Sequence, residues 1–128
     1  MLRKLLLMRI LIADDDLMLA KTLGNMVEKC GHEVSGFAFD GAGVIRDYED
    51  QRPDVVLMDY SMSQIDGANA SRKILSQFPT AKIIMLSGYL TTEALLHLEC
   101  GAFMKEPKPI EMERLREILI QVNPDETD

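Results

Sequence analysis

Two stretches of this chain, Val55–Met58 and Ile83–Leu86, are apolar at every position. A strand with one wet face alternates apolar and polar residues, so an unbroken apolar run of this length is a strand buried on both faces. Such a strand needs helices above and below it. Ile10–Ala13 is a third run of the same kind, and Ala102–Met104 a weaker fourth. Between the runs the apolar spacing changes to that of a helix, and the alternation continues from end to end in about five β-α units. The expected fold is therefore α/β: a doubly wound, five-stranded, mainly parallel sheet with helices on both faces.

The elements are bounded by recognisable punctuation. The first strand is read at Arg9–Ala13, followed by a helix with Leu19, Leu23, Met26, Val27 and Cys30 inward, Asp16 as its N-cap and Gly31 as its stop. A strand of mixed polarity at Glu33–Phe37 suits a sheet edge. Asp40 can cap a short helix carrying Val44, Ile45 and Tyr48, and Pro53 precedes the strand at Asp54–Met58. Asp66-Gly67 opens a helix with Ala70, Ile74, Leu75 and Phe78 inward, ended by Pro79. After the strand at Lys82–Leu86, Thr91 or Thr92 caps a helix through Leu98 with Gly101 as its stop. A strand near Ala102–Met104 leads to Lys108-Pro109. The last helix presents Ile110, Leu115, Ile118, Leu119 and Val122 before Pro124 and an acidic tail.

The 128 residues read as one domain, with residues 1–7 an extension beside the first strand and residues 124–128 the tail. A net charge of −7 disfavours direct nucleic-acid or anionic-membrane binding. The leucine-rich start is interrupted by Arg9 and then by aspartates. It is too short for a membrane span and makes a poor signal peptide, so a cytoplasmic protein is expected. Cys30 and Cys100 read as buried free thiols. His32 and His97 each lack a second ligand nearby in sequence.

The chemistry lies where the runs end. Asp14-Asp15-Asp16 follows the first run, Asp59 the second, Ser87 the third, and Lys108 lies beyond the fourth. In open α/β sheets, sites form at the carboxyl ends of the strands. Helix capping accounts for one carboxylate, Asp16, but not for a cluster. Two carboxylates ~4 Å apart repel by on the order of 4 kcal/mol at an effective dielectric near 20. A divalent cation resolves this, and all-oxygen ligation suits Mg²⁺.

Taken together and in order, these stretches resemble the receiver domain of two-component response regulators, from about residue 8 to 122. The matching segments are 10–16, 53–59, Asp66-Gly67, 83–88, Gly101-Ala102 and Lys108-Pro109. The resemblance implies the flavodoxin-like order 2-1-3-4-5. It implies that Asp59 accepts a phosphoryl group from a histidine kinase or phosphotransfer protein. It assigns Mg²⁺, or another divalent cation such as Mn²⁺, to Asp14, Asp15, Asp59 and the backbone carbonyl of Ser61. Ser87 becomes the switch hydroxyl and Lys108 the partner of the phosphoryl group, with the Lys108-Pro109 peptide often cis. A downstream protein would be met by the surface of the fourth helix, fifth strand and fifth helix. The chain would be a monomer or a phosphorylation-dependent dimer, and a signalling phosphoacceptor rather than an enzyme acting on other substrates.

The likeness is weakest before Lys108. The family commonly places an aromatic three residues earlier, where this chain has Lys105; in another register Lys105 itself would meet the phosphoryl group. Ser63 stands where a proline is common. Two other functions fit the same residues. One is a receiver-like binding module that works without phosphorylation. The other is a metal-dependent phosphatase with its nucleophile at Asp14.

Overall fold

The computed structural model describes residues 4–123 and 125–126. Numbering the strands of the main sheet in chain order, β1 is Arg9–Ala13, β2 Glu33–Ala38, β3 Val55–Asp59, β4 Ile83–Ser87 and β5 Met104–Pro107. The helices are α1 Leu17–Lys29, α2 Gly41–Gln51, α3 Gly67–Gln77, α4 Thr92–Leu96 and α5 Met112–Val122. The sheet is wholly parallel, in the order β2-β1-β3-β4-β5. Each strand step turns the next side chain to the opposite face, and the core divides accordingly. Leu11, Val56, Met58, Ile83 and Met85 meet Val44, Tyr48, Ile74 and Leu95 on one face. Ile10, Ile12, Leu57, Ile84 and Leu86 meet Leu23, Val27, Leu115, Ile118 and Leu119 on the other. This is why β3 and β4 could not alternate. Every residue of both strands is buried, and each buried Leu, Ile or Val contributes roughly 1.5–3 kcal/mol.

Helix starts follow the expected caps. Asp16, Asp40, Asp66 and Thr91 each accept backbone N–H groups from the first turn that follows. Gly31, at φ +88°, sits just past α1 in the left-handed conformation that a residue with a Cβ adopts at a cost.

Three expectations are corrected. In α1 it is Ala20 that is buried, while Leu19 is 49% exposed. Small residues face the sheet there because β2 comes close: a Cβ on Gly24 would lie 3.0 Å from the Phe37 ring. The fourth helix stops at Leu96 rather than Leu98, and Gly101, at φ +79°, belongs to a later turn. The fifth strand runs over Met104–Pro107 rather than Ala102–Met104. Its polar residues are tolerated because it is an edge strand, and Pro107 is tolerated there because one side of the strand makes no ladder.

Outside the main sheet, Lys4–Leu5 pairs antiparallel with Asp125–Glu126. The Asn123 carboxamide completes this closure. Its Nδ2 donates to Leu6 O at 2.7 Å, and its Oδ1 accepts from Leu6 N–H at 3.3 Å. The N-terminal extension thus meets the chain's last described residues; residues 1–3, 124 and 127–128 of the expected extension and tail lie outside the described residues. Among the described residues no helix is long and apolar enough to cross a membrane.

Candidate functional site

The parallel order brings the ends of β1, β3, β4 and the residue after β5 to one edge. Asp14, 3% exposed, follows β1 and is fixed by its own N–H donating to Ala38 O at 3.0 Å. Its Oδ1 accepts the Asp16 N–H at 2.9 Å and its Oδ2 accepts from Lys108 Nζ at 2.8 Å. Asp15 is exposed, and Asp16 turns away to cap α1. Asp59 ends β3, 6% exposed. The chain leaves it in a fixed direction, because Tyr60 N–H donates to Leu86 O and Gly67 N–H donates to Tyr60 O. A Cβ at Gly67 would overlap the Asp59 carbonyl oxygen.

One oxygen each from Asp14, Asp15 and Asp59 lies within 4.8 Å of the others. Lys108 Nζ stands between two of these residues, 3.0 Å from Asp59 Oδ1 and 2.8 Å from Asp14 Oδ2. Burial pushes the Asp59 carboxyl above its ordinary range and Asp14 adds to this, against the pull of Lys108 and of the Ser61 N–H that donates to it. Burial alone would lower the Lys108 ammonium, but the two carboxylates outweigh it and the group is raised. Three carboxylates facing one ammonium leave negative charge uncompensated. A compact all-oxygen set of this kind fits a hard divalent cation such as Mg²⁺ or Mn²⁺.

Ser87 is 1% exposed at the end of β4, and its Oγ accepts the N–H groups of Tyr89 and Leu90 at 3.1 Å each. Its carbonyl accepts Lys108 N–H at 2.9 Å, which ties the lysine backbone to β4. The Lys108-Pro109 peptide is cis. Ser61 is exposed on the loop after Asp59. Lys105 does not enter the site; its ammonium donates to the carbonyls of Leu96 and Leu98. Two features had no signal in the sequence. One is the engagement of Lys105. The other is an apolar groove of about 380 Å³ beside Lys108, lined in part by Leu19, Leu23, Met26, Leu86, Pro109 and Ile110. The groove is where the exposed Leu19 finds its neighbours.

The family model described as the response regulator receiver domain matches residues 10–120. The chemotaxis protein CheY of Thermotoga maritima is 32% identical over 116 residues, covering 90% of this chain and 97% of that protein. A protein-glutamate methylesterase/protein-glutamine glutaminase of Hahella chejuensis is 35% identical over 105 residues, and there the match takes in 80% of this chain but only 30% of the longer protein. Among solved structures, a CheY-like receiver domain protein from Methanospirillum hungatei superposes with a TM-score of 0.81 at 27% identity, over 91% of this chain and 93% of that one.

Proposed function

This chain belongs to the family of response regulator receiver domains, and we propose that it accepts a phosphoryl group on Asp59 from the phosphohistidine of a histidine kinase or phosphotransfer protein. The observation that carries this reading is the placement of Asp59: a buried carboxylate at a strand end, 3.0 Å from an ammonium and grouped with two further carboxylates. An Asp59 carboxylate oxygen attacks phosphorus, the phosphorus–nitrogen bond of the donor breaks, and the electron pair leaves with the imidazole. Lys108 neutralises charge on the phosphoryl oxygens, so the protein supplies mainly position and electrostatics. Asp14, Asp15, Asp59 and the Ser61 carbonyl would hold Mg²⁺, which supplies further charge neutralisation when bound.

The acyl phosphate adds charge and strong acceptor oxygens beside Ser87 and Lys108. The Ser87 hydroxyl, now accepting two loop N–H groups, can donate its proton to that phosphoryl group. The loop into α4 then moves with it, biasing two arrangements of the α4–β5–α5 surface presented to a downstream protein. On this reading the domain is a cytoplasmic signalling phosphoacceptor, monomeric or dimerising when phosphorylated, that catalyses only its own phosphorylation and dephosphorylation. Incubation with acetyl phosphate and Mg²⁺, followed by intact-mass and peptide analysis, tests this. One phosphoryl group is expected on wild type and none on Asp59→Asn. Label persisting on Asp14 in the variant would overturn the assignment in favour of phosphatase-like chemistry. No label on wild type would favour a binding module that works unphosphorylated.

A further inference from the structure

Helix α4 has only five residues, too few to hold itself by its own backbone hydrogen bonds. It is fastened from outside at both ends. At its start, Thr91 Oγ1 accepts Ala94 N–H, and the two residues before Thr91 donate to Ser87 Oγ. At its other end the Lys105 ammonium lies 2.7 Å from Leu96 O and 2.8 Å from Leu98 O, both carbonyls at or just past the helix terminus. A cation there also faces the negative end of the helix. Arg72 holds the next carbonyl, Glu99 O, from α3, which leaves Lys105, among the described residues, as the polar tie from the sheet beside the apolar packing of Leu95.

The position of that tie matters. Lys105 sits on β5, which pairs with β4 (Met85 opposite Lys105, Ser87 opposite Pro107) and ends at Pro107, one residue before Lys108. Both ends of α4 are therefore fastened to groups that flank Asp59, one through Ser87 and one through β5. We propose that Lys105 is a positioning residue, a latch that holds α4 in its present place and opposes the rearrangement of Ser87 and Lys108. The opposition to rearrangement rests on the phosphoacceptor reading; the latch itself does not. Because coupling between sites is reciprocal, loosening the latch strengthens binding of a phosphoryl mimic at Asp59.

The test compares wild type, Lys105→Met and Lys105→Arg. Without metal or phosphodonor, amide exchange at Leu95, His97 and Leu98 should quicken by about tenfold or more in Lys105→Met, as expected for losing two hydrogen bonds from a charged donor. Ala20 in α1 and Ala70 in α3 should not change, and Lys105→Arg should restore most of the protection. Titration with beryllofluoride and Mg²⁺ should show severalfold tighter binding to Lys105→Met than to wild type. Unchanged exchange in Lys105→Met overturns the latch. Faster exchange with unchanged beryllofluoride affinity reduces Lys105 to a purely structural support and overturns the positioning role. A wild type that binds no beryllofluoride refutes the phosphoacceptor reading and the coupling together, and the donor-free exchange still decides the latch.

Discussion

Replacing Lys108 with methionine keeps most of the side chain's stem and removes the charge between Asp14 and Asp59. The Asp14 and Asp59 side chains are only 4% and 7% exposed, so water replaces the ammonium poorly. With their oxygens no more than 4.8 Å apart, the carboxylates repel by about 3.5 kcal/mol at an effective dielectric near 20. Allowing for partial relaxation, Lys108→Met should lose about 3 kcal/mol at pH 8 in EDTA, or about 10 °C in Tm for a domain of this size. The pH dependence has a definite sign. Asp59 is already raised by burial and by Asp14, and without Lys108 it rises further. A carboxyl raised in the folded state takes its proton there first, so the defect is smallest at low pH and grows as pH climbs through the folded-state pKa. Urea unfolding of wild type, Lys108→Met, Asp59→Asn and the double variant at pH 5 and pH 8 measures this. Asp59→Asn should recover most of the loss in the Lys108→Met background, and so should millimolar Mg²⁺. A defect of equal size at both pH values, unrelieved by Asp59→Asn, would refute the electrostatic account and leave lost packing as the cause.

Two further outcomes are expected. His32 Nδ1 accepts Met8 N–H at 3.1 Å, which only the neutral ring can do; burial lowers the imidazole below its ordinary value near 6.5, with Asp54 partly opposing. Its contribution is therefore complete above about pH 6.5 and falls away as pH drops through the lowered value. Urea midpoints for wild type should decline over that window and those of His32→Asn less steeply; parallel slopes would remove His32 from the account. Gly67→Ala should cost about 2–3 kcal/mol, because the added Cβ meets the backbone of Asp59 and Tyr60 rather than a movable side chain. It should also weaken Mg²⁺ binding by calorimetry, since Asp59 must shift, and an alanine variant as stable as wild type would contradict the close approach.

Residues whose environment is imposed by neighbours on both faces could be read directly. The unbroken apolar runs of β3 and β4 announce their burial, and the aspartates and threonine at helix starts announce their caps. What escaped was decided by contacts distant in sequence. Leu17, Met18 and Leu19 are consecutive and apolar, so their spacing alone does not set the phase of α1; in the fold its buried face is Ala20, Leu23, Gly24 and Val27. Lys105-Glu106-Pro107 looks like a loop because nothing local shows that Lys105 will cap α4 or that Glu106 will pair with Arg114 through two hydrogen bonds. In the site, the residue types at the strand ends were recognisable, but that one ammonium would bridge Asp14 and Asp59 follows only from the order of the strands.

The bond between Asn123 and Leu6 joins residues 117 apart in sequence. Its entropic cost of closure is low only after the sheet between them has formed, since a loop of that length has otherwise to be closed from the open chain. The clasp is therefore expected to close late in folding and to open before global unfolding. A fluorescent pair placed at the two arms would report completion of the fold, on an end of the sheet remote from Asp59, without touching the acidic cluster.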